Sequence, residues 1–357
     1  MPKATRGATI AGTGSFLPER VLSNADLEKM VETSDEWIVT RTGIRERRMI
    51  ESGVDNSDMA TEAARRALDA AGLDVHDVDH IFIATVTPDR ILPSMSCTVQ
   101  RKLDASHAAA LDINAACSGF LYGLQIAQSL IESGASNTVL LLGAETLTRI
   151  VDFEDRNTCV LFGDGAGAAV LRPCDAGKGV LSVKLGADGA QGGDMLTVPA
   201  GGSQRPASHE TVAAREHFIR MRGNELFKFA VRAMESISRD ALAEAGRDAS
   251  ELKALIPHQA NRRIIDATAE RLGIAPEKVF MNIERTGNTS AASVPILLDE
   301  VVREGKLAEG DLVELVAFGG GVTWGAGVLT WCPSAAWPIE GREARGSIAA
   351  VKSGATA

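Results

Sequence analysis

The 357-residue sequence predicts an α/β protein built from two copies of one unit, each a set of mostly parallel strands covered by helices. Three observations lead there. The segment RRALDAAGLD at 65–74 recurs as RDALAEAGRD at 239–248, with six of ten positions identical. The same separation of 174 residues lays Gly72 on Gly246, Asn114 on Asn288, and the strand-like VLLLG of 139–143 on VELVA of 313–317. Helix, strand and glycine turn therefore recur in one order along both halves. Past that point the register shifts, and Gly165-Ala-Gly167 answers Gly325-Ala-Gly327.

Residues 61–72 carry apolar side chains at helical spacing and stop at Gly72, a helix C-cap. Residues 81–86 (IFIATV) form a β-branched run suited to a buried parallel strand. A helix follows from Cys117 to Ile131, ending near Gly134, and then a buried strand from Thr138 to Leu142. The second copy supplies a helix at 234–245, a strand at 254–257, helices at 262–272 and 291–303, and a strand at 312–317. Between the copies, Gly186 to Gly223 is too long and glycine-rich for an ordinary connection, and it is expected to be a partly ordered flap over a site. The expected organisation is a first half over 1–180, a second over 181–332, and a flexible tail over 333–357 outside the core.

Composition narrows the function. The net charge of −10 and 4% aromatic content argue against general nucleic-acid binding. No apolar run approaches the about 20 residues that span a bilayer, and the first residues lack a signal peptide's apolar core. Five cysteines without a CxxC pair read as reduced thiols. A cytoplasmic enzyme is the leading expectation.

The candidate chemistry sits where strands end and helices begin, the place open α/β sheets offer to ligands. Cys117 opens an apolar helix, so its sulfur is expected among free backbone N–H groups, with a lowered pKa. Ser118 and Gly119 are small and leave room for a substrate. Cys97, Cys159, Cys174 and Cys332 read instead as inert packing residues. His258 alone among six histidines occupies a strand–helix corner in an apolar context. Asn288 occupies the turn that Asn114 occupies in the first copy, a position also suited to a helix N-cap. Packing of the copies about a pseudo-twofold axis would bring Cys117 from one half to His258 and Asn288 from the other.

These residues resemble the thiolase superfamily, specifically the β-ketoacyl-acyl carrier protein synthase III family, over roughly residues 8–332. The resemblance is carried by TSDEWIVTRTGI (33–44), DINAACSGF (112–120), FGDGAGAA (162–169), PHQAN (257–261), RTGNTSAASVP (285–295) and FGGGVTWG (318–325), all in order. It implies a five-layer α-β-α-β-α fold of two duplicated halves and a homodimer. It implies an acyltransferase of fatty-acid synthesis in which Cys117 takes an acyl group from acyl-CoA. Malonyl-acyl carrier protein then loses CO₂, and its carbanion attacks the acyl-Cys. His258 and Asn288 would donate hydrogen bonds to the developing enolate, and the amides of Cys117 and Gly320 would form the oxyanion hole. Asn rather than a second His at 288 marks the initiating class.

The resemblance further assigns Trp37, Arg41 and Arg156 to the CoA nucleotide and Asn261 to its pantetheine arm. It places carrier-protein docking at Gln259, Ala260, Asn261, Arg262, Arg263 and Lys228, a local basic patch on an acidic chain. Leu92 is expected in the acyl pocket, partly across a dimer interface. It stands where acetyl-preferring members commonly carry Phe, which leaves primer length open, with acetyl the default. Neither coenzyme nor metal is expected.

Three other readings are weighed. Cys, His and Asn in this order also describe papain-like hydrolases. The string Gly163-Asp-Gly-Ala-Gly167 could cradle a nucleotide phosphate, although the dinucleotide-binding pattern fits poorly. A related ketosynthase-like enzyme of polyketide metabolism would keep the same fold.

Overall fold

The computed structural model describes residues 6–337. In chain order the elements that matter are β1 (Arg6–Phe16), α1 (Asp35–Thr42), α2 (Asn56–Ala71), β2 (His80–Ala84), α3 (Met95–Leu103), β3 (Ala109–Ile113), α4 (Gly119–Glu132) and β4 (Val139–Thr146). Then follow β5 (Asp164–Asp175), β6 (Val180–Ala187), α5 (Gly223–Ala245), β7 (Ala254–Pro257), α6 (Arg262–Leu272), α7 (Ser293–Arg303), β8 (Leu312–Gly319) and β9 (Thr323–Thr330).

Local chemistry sets the boundaries. Helix α2 starts where the Asp58 carboxylate accepts from the Asp55 amide at 2.9 Å, and it ends at Gly72 in the left-handed conformation. Helices α5 and α6 end the same way at Gly246 and Gly273. Helix α5 begins at Gly223 rather than 234, extending its apolar face through Leu226, Phe227 and Phe229. Strand β2 stops at Ala84 rather than Val86 because the Val86 and Thr87 amides turn away to the Glu145 carboxylate.

The first sheet has the order β1-β5-β4-β2-β3, and the second β6-β9-β8-β7. The two orders correspond strand for strand, apart from the place of β3. There the second half keeps only a bridge between Leu255 and Val279. Strands β4, β2 and β3 are mutually parallel, as are β7 and β8. Strands β5 and β9 run against both neighbours. The expectation of mostly parallel strands therefore holds with one reversed strand at the matching place in each sheet.

Helices α2 and α3 cover the outer face of the first sheet, and α5 packs on the outer face of the second with α6 beside it. Helices α4 and α7 lie between the sheets, giving the five layers that the resemblance implies. The sides of α4 that pack between the sheets are apolar, with Phe120, Leu121, Leu124, Ala127 and Ile131 buried, while Ile126 and Ser129 face outward. Gly163–Gly167 runs into the reversed strand β5, where a Cβ on Gly167 would lie 2.5 Å from the Ile296 backbone nitrogen of α7. The glycines serve close helix–sheet packing, which overturns the phosphate-cradle reading.

The segment Gly186–Gly223 folds into two short helices, Gly189–Gly192 and His209–Ala213, and a ribbon of Leu196–Thr197 with Arg220–Met221. It is latched to the body by Asp152, which pairs with Arg215 and lies 3.9 Å from Arg220. The start of the expected tail is docked. Arg172 donates to the Trp337 carbonyl at 3.0 Å, and the Arg6 guanidinium lies 5.5 Å from the Trp337 ring. Residues 338–357 of that tail lie outside the described residues. No helix of the described residues is long and apolar enough to cross a membrane.

Candidate active site

Each half turns sharply at the entrance to its central helix. Ala116 has φ +46° and Ser290, 174 residues later, has φ +48°, both in short 3-10 turns. Holding a non-glycine residue there costs about 1 kcal/mol or more, so the surroundings must enforce it. The next residue is Cys117 in the first half and Ala291 in the second. Two glycines let strands pass these turns. A Cβ on Gly319 would lie 2.6 Å from the Cys117 nitrogen, and one on Gly143 would lie 2.2 Å from the Ala291 oxygen.

Cys117 and Ser290 border one apolar cavity of about 320 Å³, with Val86, Leu147, Ile150 and Phe162 in its walls. The flap closes it with Leu196, Val198 and Ile219, as expected of a segment over a site. Thr197 and Val198 also border a larger adjoining cleft with Arg205, Arg220 and Arg222. The turn carrying Cys117 is tied down from below. Thr323 Oγ1 donates to the Ala115 carbonyl at 2.8 Å and accepts from Ser118 Oγ at 2.7 Å.

The second half reaches Cys117 through the turn 288–293, whose Ser290 hydroxyl lies against the sulfur. Asn288 is held by its own amide on the Leu161 carbonyl at 2.8 Å. Its Oδ1 accepts from the Ser290 amide at 2.8 Å, which leaves Nδ2, among the described residues, free to donate. His258 ends β7, with its amide on the Val316 carbonyl at 2.7 Å. Its Nδ1 lies 2.6 Å from Ser293 Oγ, which accepts from the Gln259 amide at 3.4 Å. With the Ser293 hydroxyl as donor to Nδ1, the ring proton sits on Nε2. Both side chains are buried and neither is part of the cavity lining.

Burial governs the titrations. It pushes the Cys117 thiol up to about 11, reinforced by Glu145, while the Ser290 hydroxyl and the amides of Cys117 and Gly320 pull the other way. The expected lowering at a helix start is thus outweighed, because the sulfur is largely buried at an apolar cavity wall and lies in the 3-10 turn before α4. Burial holds His258 down to about 3, so the ring is neutral. It raises Glu145 to about 7. The amides of Cys117 and Gly320 both face the sulfur.

Farther out, Arg41 and Arg156 both stack on Trp37, with guanidinium carbons 4.7 Å and 5.4 Å from the ring centre. Asn261 caps α6 through the Arg263 amide and donates to the Arg41 carbonyl at 3.0 Å, joining α6 to α1. Lys228, Arg262 and Arg263 are exposed, and Arg263 lies 5.5 Å from the Phe227 ring.

The docking expectation fails at Gln259. Gln259 is fully buried, accepting from the amides of Asn282 and Ile283, so it cannot meet a docking partner. Leu92 does not line the cavity of its own chain. It stands 85% exposed beside Ile91, at the tip of the loop after β2. Cys97 is exposed, whereas Cys159, Cys174 and Cys332 are buried as expected. The sequence reading missed Glu145 and Ser290. The available signal was one carboxylate at the end of an otherwise apolar buried strand. No cluster of three or more His, Cys, Asp or Glu suited to a metal occurs among the described residues.

Two family models match the chain: 3-oxoacyl-[acyl-carrier-protein] synthase III over residues 111–189, and the C-terminal part of that family over 242–331. A β-ketoacyl-[acyl-carrier-protein] synthase III of Caldanaerobacter subterraneus is 55% identical over 324 residues, covering 91% of this chain and 98% of the relative. The crystal structure of a 3-oxoacyl-[acyl-carrier-protein] synthase III from Aquifex aeolicus superposes with a TM-score of 0.83 at 49% identity, covering 91% of this chain and 100% of the other. A priming β-ketosynthase of the R1128 polyketide pathway gives a TM-score of 0.86 at 36% identity, covering 93% and 98%. With that identity to a relative matched over nearly its whole length, and with the paired layers and strand-end cysteine described above, the chain belongs to the β-ketoacyl-[acyl-carrier-protein] synthase III family.

Proposed function

We propose that this chain condenses a short acyl-CoA primer, acetyl-CoA by default, with malonyl-acyl carrier protein. The products are 3-oxoacyl-acyl carrier protein, CoA and CO₂, and the reaction initiates fatty-acid synthesis. The observation that carries this reading is Cys117 at the wall of an apolar cavity, with the amides of Cys117 and Gly320 facing its sulfur. In the first half-reaction the sulfur takes the acyl group and the two amides hold the oxyanion. In the second, loss of CO₂ leaves an enolate, which needs neutral donors. His258 Nε2–H and the Asn288 amide are such donors. The carbanion attacks the acyl-Cys carbonyl and the Cys117 sulfur leaves. The acyl group rides on the protein itself, so the scheme uses no further coenzyme.

Trp37, Arg41 and Arg156 would hold the CoA nucleotide, and Asn261 its pantetheine arm. Lys228, Ala260, Asn261, Arg262 and Arg263 would form the carrier-protein docking face. A homodimer in the cytoplasm is part of this reading. The exposed Ile91, Leu92 and Leu111 support a second protomer against the loop after β2 and the free edge of β3. The polyketide reading is less favoured, since its relative shares 36% identity against 49% and 55% for the others.

Intact-mass measurement after incubation with acetyl-CoA tests the assignment. An acetyl adduct forms on the wild type and is absent in Cys117→Ala, which still decarboxylates malonyl-acyl carrier protein in part. Absence of any adduct on the wild type overturns the reading.

A further inference from the structure

Glu145 ends β4 with no exposed surface, and donors surround its carboxylate. Ser290 Oγ donates to Oε1 at 3.0 Å. Thr87 Oγ1 donates to Oε2 at 2.5 Å and Thr85 Oγ1 at 3.2 Å. The Val86 and Thr87 amides add contacts at 3.1 Å and 3.2 Å. Such a shell suits an ionised carboxylate. On the other side of Ser290 is the nucleophile. Ser290 and Cys117 border the same cavity, and the hydroxyl lies against the sulfur. Thiol, hydroxyl and carboxylate thus form a continuous series running from the cavity wall into the buried interior.

A buried thiol needs somewhere to send its proton as it attacks. His258 is a poor acceptor, with Nδ1 engaged by Ser293 and its basicity depressed to about 3. Glu145, raised to about 7, is far better matched to proton transfer near neutrality. Among the described residues, Cys117 is the ionisable side chain that faces Glu145. The loop after β2 and the turn 288–293 present hydroxyls and amides, and Asn56 of α2 directs its amide to the Ala144 and Thr87 carbonyls.

We propose that Ser290 is a further catalytic residue and that Glu145 is the proton acceptor acting through it. As the Cys117 sulfur attacks the acyl-CoA carbonyl, the thiol proton passes to Ser290 Oγ and the Ser290 hydroxyl proton passes to the Glu145 carboxylate. The bond from the acyl carbon to the CoA sulfur breaks, and the same path in reverse returns the proton to that sulfur. Acyl-CoA and thiol become acyl-Cys and CoA, with nothing left over. This inference rests on Cys117 being the acyl acceptor.

Rapid-quench acylation by acetyl-CoA, followed by intact mass from pH 6 to 9.5, tests it on the wild type, Ser290→Ala, Glu145→Gln and the double variant. Expected is a loss of about 10²-fold near pH 7 in each single variant, a gap that narrows as pH rises and hydroxide replaces the relay. The double variant is no slower than either single one, and Glu145→Asp recovers part of the rate. Wild-type acylation rates and pH dependence in Ser290→Ala, which removes only a hydroxyl, overturn the proposal even if Glu145→Gln fails to fold. So does a double variant whose losses multiply. Failure of the wild type to acylate at all refutes the underlying assignment of Cys117 instead, so the two failures are distinguishable.

Discussion

Cys117 and His258 are both buried, and burial moves both toward their neutral forms. For His258 this is the useful state. A ring held at about 3 stays neutral across the working range and keeps its Nε2 proton as a donor. Asn288 is its partner in kind, a donor that carries no charge to repel an enolate. Asn288→Asp keeps the shape and reverses the electrostatics. Decarboxylation of malonyl-acyl carrier protein is expected to fall about 10²-fold while the acetyl adduct still forms, as read by CO₂ release beside intact mass. These positions were legible in the sequence because strand-end corners can be located from local periodicity. Gln259 was misjudged for the converse reason. It lies near the exposed Arg262, but its amide contacts belong to residues 282 and 283, which no local pattern connects to it.

At the scale of elements, the two turns before α4 and α7 are one device used twice, with Cys117 in one copy and Ser290 in the other. The end of β8 must pass directly behind Cys117, and only a residue without Cβ does so. Gly319→Ala is expected to remove acylation and to lower unfolding free energy by about 2 kcal/mol, measured by urea titration with the mass assay alongside. The flap depends on a different contact. Hydrogen bonding from Arg215 holds the Asp152 carboxyl below its usual range. Its folded pKa is lowered, so the latch is fully formed at neutral pH and is lost only as pH falls past 3.8 toward the folded value. Asp152→Asn breaks it at every pH. Faster proteolysis within 186–223 and a raised KM for acyl-CoA, with less effect on stability, are the expected outcomes.

Across the whole molecule, the layered duplication buries charges that no surface pattern announces. Glu314 lies on β8 under α5, fully buried, and among the described residues Ser238 is the polar group beside its carboxylate. Burial raises it to about 7. Because the folded pKa is raised, the native state binds the proton more tightly, and this group's contribution falls as pH rises from 4.5 through about 7. Glu314→Gln is therefore expected to gain about 3 kcal/mol relative to the wild type by pH 8 and little at pH 5, read from thermal or denaturant unfolding at both.

The sequence by itself determined the duplication, the α/β class, the flap and the three strand-end residues, because each is written in spacing and periodicity over short stretches. Only the tertiary structure decided that Glu145 stands behind Ser290 from 145 residues away, that the Cys117 thiol is raised rather than lowered, and that Leu92 faces outward. Those outcomes depend on which distant groups pack together and how deeply the fold buries them. Desolvation and hydrogen-bond partners are properties of that packing, whereas periodicity is a property of the chain.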